Sequence, residues 1–164
     1  MGRRILLLSD THGTWDDFIE KYAARADEIW HAGDIGSLEV LEKLQQFAPV
    51  KAVYGNADGR DIRIRVPEHL FFQQDGKGIL ILHIGGYPGR YTPLARRLID
   101  TYAPDVFISG HSHILKVMPD KKRGLMHLNP GAAGKYGFHK VRTMLRFEMD
   151  DGQLKNLEVI ERPR

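Results

Sequence analysis

Along the first 110 residues, short apolar runs alternate with segments in which apolar side chains recur every three or four positions. The runs cover residues 5–8, 28–32, 50–54, 79–82 and 106–109. Runs this short, bounded by turn-forming residues, read as strands. The helical period falls on residues 15–26, 38–47 and 93–102. Such alternation predicts parallel strands joined by crossover helices. Leu70-Phe71-Phe72 and the run at 79–82 flank Asp75-Gly76-Lys77-Gly78, which predicts a hairpin. From Ile114 onward the helical period stops, and residues 115–118, 125–128, 141–149 and 154–160 read as strands, with Asp150-Asp151-Gly152 as the last turn. These predict a second, largely antiparallel sheet. The expected fold is α/β: one domain over residues 1–164, with two sheets packed face to face as a β-sandwich and flanked by helices.

The polar residues that follow the five runs give this pattern its chemistry. The first run leads into Asp10 and His12, the second into Asp34, the third into Asn56, the fourth into His83, and the fifth into His111 and His113. In an open α/β sheet, ligands bind beyond the carboxyl ends of the strands, so five strand ends deliver these groups to one place. Asp10 and His12, two residues apart, face the same side of an extended chain and can share one ion. Gly33 before Asp34 lets the backbone approach a cation, and a carboxylate there can bridge two metals. Asn56 offers a neutral amide oxygen. Taken singly, each residue has an ordinary explanation. Asp10 with Thr14 and Asp34 with Ser37 could cap helices, and Gly55-Asn56 could be a plain turn. Recurrence at the same end of every proposed strand is poorly explained that way.

Asp-x-His, Gly-Asp, Gly-Asn, a single His and Gly-His-x-His, in this order, resemble the signature of the calcineurin-like metallophosphoesterases, and the small YfcE-type phosphodiesterases among them. The likeness runs from Ile5 through Leu128-Asn129-Pro130-Gly131 to the closing strands. It implies a four-layer α/β/β/α fold and two divalent ions. Asp10, His12, Asp34 and His113 would hold one ion, and Asp34, Asn56, His83 and His111 the other, with Asp34 bridging. It also implies hydrolysis of a small phosphodiester by water that the cations activate, with Asp34, Asn56 and His111 at the reacting centre. Two positions depart from the family. Many members carry a His after Gly-Asn where this chain has Ala57, and a Gly after the single His where this chain has Ile84. The first removes a proton source for the leaving group. A scaffold of the same fold, as in the retromer subunit Vps29, is the rival reading.

Composition narrows the field. The chain contains no cysteine, so metal ligation falls to oxygen and imidazole. Such a set suits Mn, Ni, Fe or Zn better than Ca or Mg, with Mn the first expectation. No run reaches the roughly 18 apolar residues of a membrane helix, and the four aliphatic residues after Arg3-Arg4 are too few for a signal peptide. A soluble, cytoplasmic protein is expected. The net charge of +3, from 24 basic and 21 acidic residues, does not point to nucleic acid, and Lys121-Lys122-Arg123 reads as a solvated turn. Arg60 and Arg90 are candidates for gripping a substrate phosphate. His31 is expected to be a satisfied strand residue, and the family resemblance implies that the loop after His127, Asn129-Pro130-Gly131, runs near the site. Trp15 and Trp30 read as core. A homo-oligomer is compatible with the sequence.

Overall fold

Ile5, Leu6, Leu7 and Leu8 are all buried, so the strand that carries them is covered on both faces, as expected where helices lie against a parallel sheet. The computed structural model describes residues 2–164. In chain order the elements are β1 (Arg3–Leu8), α1 (Asp17–Ala23), β2 (Glu28–His31), α2 (Leu38–Gln45), β3 (Val50–Ala52), α3 (Arg60–Arg63) and β4 (His69–Gln74). They continue with β5 (Lys77–Leu82), α4 (Pro93–Tyr102), β6 (Val106–Ile108), β7 (Lys116–Asp120), β8 (Leu125–Asn129), β9 (Val141–Asp150) and β10 (Gln153–Pro163). One sheet has the order β10-β9-β1-β2-β3 and the other β4-β5-β6-β8-β7.

Alternate side chains of β1 serve different layers. Ile5 and Leu7 meet Ile79, Ile81, Val106 and Ile108 of the other sheet in the central core. Leu6 and Leu8 turn outward onto Phe18, Ile19, Leu41 and Leu44 of α1 and α2. On the far side, Leu80, Leu82 and Phe107 pack under Ala95, Leu98 and Ile99 of α4. The result is the expected sandwich of two sheets between helices. Trp30 lies wholly inside the central core, its indole N–H donating to Glu28 Oε2 at 2.8 Å.

The sheet pairing differs from the sequence expectation. The later strands do not form an antiparallel sheet of their own. β7 and β8 extend the sheet of β4, β5 and β6, with β8 parallel to β6, while β9 returns to pair antiparallel with β1. Both sheets are therefore mixed. The reason is that β1 has a free edge beside the central core, and β9 covers it while adding Leu145, Phe147 and Met149 to that core. Periodicity identifies a strand but not the edge it covers.

Local signals set the ends of the elements. Asp75 and Gly76 both have positive φ, 52° and 82°, in the two-residue turn between β4 and β5. Ser37 caps α2 and Thr92 caps α4, which has Pro93 at its start. The α1 cap is Asp16, not Asp10 or Thr14, and the helix is shorter than the period at 15–26. Helix α3, only four residues long, is too short to show a period. Among the described residues no helix is long and apolar enough to cross a membrane.

His127 lies against Phe107, their rings stacked 5.5 Å apart, with Tyr91 nearby. This places it on the α4 side of its sheet. Its Nδ1 lies 3.1 Å from the Phe107 carbonyl, so that nitrogen carries the proton and donates. Burial pushes the imidazole pKa down to about 4, against the opposing pull of that carbonyl. The unfolded chain therefore takes up the proton first. The stability tied to neutral His127 is complete above about pH 6.5 and is lost as pH falls toward 4. Acidifying from pH 7.5 to 5 is expected to remove about 2 kcal/mol through this residue. Urea unfolding at both pH values, compared with His127→Leu, isolates the contribution. An equal loss in the variant would assign the effect to other groups.

Candidate metal centre

β1, β2 and β3 run parallel in one sheet, and β5 and β6 run parallel in the other. Their carboxyl ends meet at one end of the sandwich, where two groups of side chains converge. Asp10, His12 and His113 form one group and Asp34, His83 and His111 the other, the ligand atoms of each lying within 4.8 Å of one another.

The backbone is unusual at these residues. Asp10, His12, Asp34, His111 and His113 all have positive φ, between 44° and 72°. Non-glycine residues adopt this region uncommonly, although Asp and His do so more readily than most. Holding them there costs on the order of 1–3 kcal/mol each, so the surroundings must impose it. Loop-to-loop hydrogen bonds do so. The Asp10 amide donates to Gly33 O at 2.9 Å and the His12 amide to Asp34 O at 3.0 Å. The Gly134 amide donates to Asp10 O at 3.1 Å.

Each carboxylate is anchored by one oxygen. Asp10 Oδ2 accepts from the Ser9 hydroxyl at 2.7 Å and the His111 amide at 3.0 Å, which leaves Oδ1 facing His113 Nε2 at 3.2 Å and His12 Nε2 at 3.6 Å. Asp34 Oδ1 accepts from the Ala57 amide at 2.9 Å. Its Oδ2 faces His83 Nε2 at 3.2 Å and His12 Nε2 at 3.5 Å, one imidazole from each group. Gly55 allows this approach. A Cβ there would stand 2.1 Å from Asp34 Oδ1. Gly33, at φ 104°, lies under the His83 ring, where a Cβ would come within 2.6 Å of Nδ1. The same His83 Nδ1 is 2.7 Å from Ala32 O, so it donates there and turns Nε2 toward the carboxylates.

Burial opposes ionisation of Asp10, but His113 and His12 beside it, helped by His83 and Ser9, hold its carboxyl far below the usual carboxylate range. Asp34 is lowered as well, with His83 and the Ala57 amide outweighing its burial. Asp10 chiefly raises the His12 pKa, and Asp34 with Asp10 raises that of His83 against burial. The pocket thus favours positive charge at its centre. Asp10 Oδ1, His12 Nε2 and His83 Nε2 are buried with no hydrogen-bond partner among the described residues. Such atoms are nearly always satisfied in native proteins. A divalent cation held by carboxylate and imidazole would satisfy all three, so the donor set fits a metal.

Of the residues singled out in the sequence, six meet in these two groups. Asn56 lies exposed in the turn after β3, next to Ala57, whose amide holds Asp34. Arg60 and Arg90 are exposed, and neither side chain bonds to a candidate ligand among the described residues. His31 is satisfied as expected. Its Nδ1 accepts from the Gly33 amide at 3.1 Å, so Nε2 carries the proton and donates to Thr11 Oγ1 at 3.0 Å, which in turn donates to Ile35 O.

Four positioning residues escaped the sequence reading. Buried Asp58 accepts from the Ile35, Gly36 and Gly55 amides at 2.8–3.1 Å, tying the Asp34 loop to the Asn56 loop. Its place two residues after Asn56 suggests a turn, but nothing local shows the second loop. Asn129 donates to Gly110 O and Ser112 Oγ, bracing the loop of His111 and His113. The His139 ring packs edge-on against His113 at 5.2 Å, and Tyr136 covers His12 at 4.8 Å between ring centres.

Comparison with known proteins agrees with this geometry. A probable metallophosphoesterase of Methanothermobacter thermautotrophicus is 35% identical over 106 residues, covering 63% of this chain and 59% of that protein. Another, from Methanocaldococcus jannaschii, is 32% identical over 133 residues, covering 77% and 66%. The chain thus spans 59% and 66% of the length of these two curated relatives. Vps29 of Entamoeba histolytica, solved in complex with zinc, superposes with a TM-score of 0.73 at 18% identity over 98% of each chain. That likeness concerns the fold. The model of the calcineurin-like phosphoesterase superfamily domain matches residues 4–152, a span that contains every candidate ligand, and the chain belongs to that superfamily.

Proposed function

We propose that the protein is a dinuclear metal-dependent phosphodiesterase, with manganese the expected ion, acting in the cytoplasm on a small phosphodiester rather than on nucleic acid. The observation that carries this reading is Asp34 Oδ2, placed between an imidazole of each ligand group. Asp10, His12 and His113 would hold one cation, His83, His111 and Asn56 the other, and Asp34 would serve both. Divalent ions in such a pair lower the pKa of water toward neutrality and neutralise charge on phosphoryl oxygens. The chain's own part is to orient. Ser9 and the His111 amide fix Asp10, the Ala57 amide fixes Asp34, and Ala32 O fixes His83. The ligands are therefore aimed before anything binds.

Initial rates with bis-p-nitrophenyl phosphate and p-nitrophenyl phosphate, on chelator-stripped protein titrated with manganese, test the proposal. Metal-dependent turnover that favours the diester is expected. No turnover of either ester, with two ions bound, would instead support a scaffold, a reading that draws on the fold shared with Vps29 and on Ala57.

Ala57 also sets an expectation about the leaving group. Its methyl has no acidic proton to give, although its amide stands 2.9 Å from Asp34 Oδ1. Aryl esters, whose leaving groups depart without protonation, should react well and alkyl esters poorly. Ala57→His is expected to raise alkyl-ester turnover about tenfold or more. Rates on an alkyl and an aryl diester, measured side by side, check this, and an unchanged ratio removes the argument.

A further inference from the structure

Phe138 is as exposed as in an extended chain, and Tyr136 and Ile114 are mostly exposed as well. Large apolar side chains grouped on a surface mark binding sites more often than chance decoration. These three line a single open cleft of about 950 Å³, whose wall also contains His111 and His113. The cleft is continuous with the candidate metal centre. Tyr136 lies over the His12 ring, and Gly137 is so close to His113 that a Cβ there would be 2.4 Å from Nδ1. The charged side chains lining it are Lys135 and Arg164, with no Asp or Glu among the lining residues. Arg164 lies against the Gly137 carbonyl of the aromatic segment.

An anionic group at the metal centre would therefore have cations and flat aromatic faces beside it. We infer that the cleft at 135–139 is a subsite for a planar aromatic substituent, a nucleobase or an aryl ring, carried by the phosphoester bound at the metal centre. The inference rests on the metallophosphoesterase reading above and names the substrate class that reading leaves open. Stacking on exposed aromatic side chains accepts any ring with a π face, and Lys135 and Arg164 favour the anionic character of the phosphoester.

Calorimetric titration of the manganese-loaded protein separates this subsite from the metal centre. Uridine 5′-phosphate is compared with ribose 5-phosphate, and phenyl phosphate with methyl phosphate, so that each pair shares the phosphate and differs in the ring. The aromatic member of a pair should bind about 5- to 100-fold tighter. In Phe138→Ser and in Tyr136→Ser that ratio should fall toward one. The nucleoside pair responding alone assigns the subsite to nucleobases, and the aryl pair alone to simple rings. Equal binding within both pairs, or a ratio untouched by either variant, overturns the subsite while leaving the metal centre intact. If manganese binds and none of the four ligands does, the phosphoesterase reading fails and takes the subsite with it. Sedimentation of wild type and Phe138→Ser covers the remaining occupant. Self-association lost in the variant, with the ligand ratios unchanged, would make this face a contact between copies and overturn the inference.

Discussion

Asp34→Asn should lower metal-dependent phosphodiester turnover by about 10³-fold or more while leaving the fold intact. The substitution preserves the one hydrogen bond that anchors this side chain, because an amide oxygen still accepts from the Ala57 amide. What changes is the atom facing the two imidazoles. In place of a carboxylate oxygen stands an amide nitrogen, which bears protons and does not ligate a cation. On the proposed sharing, both groups would lose a ligand at once, since His83 Nε2 and His12 Nε2 each face that same atom. Manganese content by mass spectrometry should fall together with the rate, and circular dichroism should be unchanged. Turnover within tenfold of wild type would show that Asp34 is not shared between two ions.

Arg142→Ala is expected to cost about 3–5 kcal/mol of stability, the range typical of breaking a buried ion pair from one side. Arg142 is 2% exposed. Its guanidinium donates to both oxygens of Asp16 at 2.8 and 3.1 Å, and its Nε donates to Ala133 O at 2.8 Å. Without it, the Asp16 cap of α1 loses its counter-charge and a carbonyl beside the site loses its donor. A midpoint shift of about 10 °C in thermal unfolding is the expected readout. Arg142→Lys should recover only part of it, because a point charge cannot reach three acceptors in a fork. The site should feel the loss too, since the Ala133 and Gly134 amides bond the carbonyls of Ser9 and Asp10. A loss below about 1 kcal/mol in the alanine variant would falsify the assignment of Arg142 as a fold-holding residue.

Much of this was legible in the chain because the main signals are local. Ile5 to Leu8 announce a doubly covered strand by being apolar at every position, and Asp10 and His12 declare their chemistry by following it at once. Asp34, His83, His111 and His113 repeat the rule, so the convergence of six candidate ligands followed from parallel strand direction alone. What escaped depends on separation. Asp58 matters because the loop after β2 comes to it, and no spacing near Asp58 encodes that approach. Segment 141–149 reads plainly as a strand, yet its pairing with β1 is decided by an edge more than a hundred residues away. The left-handed backbone at Asp10, His12 and Asp34 was equally hidden, because only glycine announces that conformation by type. No spacing around Tyr136 and Phe138 marks them, because the residues they sit beside come from distant parts of the chain.

Each ligand group takes members from both sheets. Asp10 and His12 follow β1 while His113 lies beyond β6; Asp34 follows β2 while His83 and His111 lie beyond β5 and β6. A cation held by either group is therefore a rivet across the seam of the sandwich, joining chain segments as far apart as residues 10 and 113. Binding would tighten the molecule as well as equip it, by an amount that grows with the logarithm of free metal above its dissociation constant.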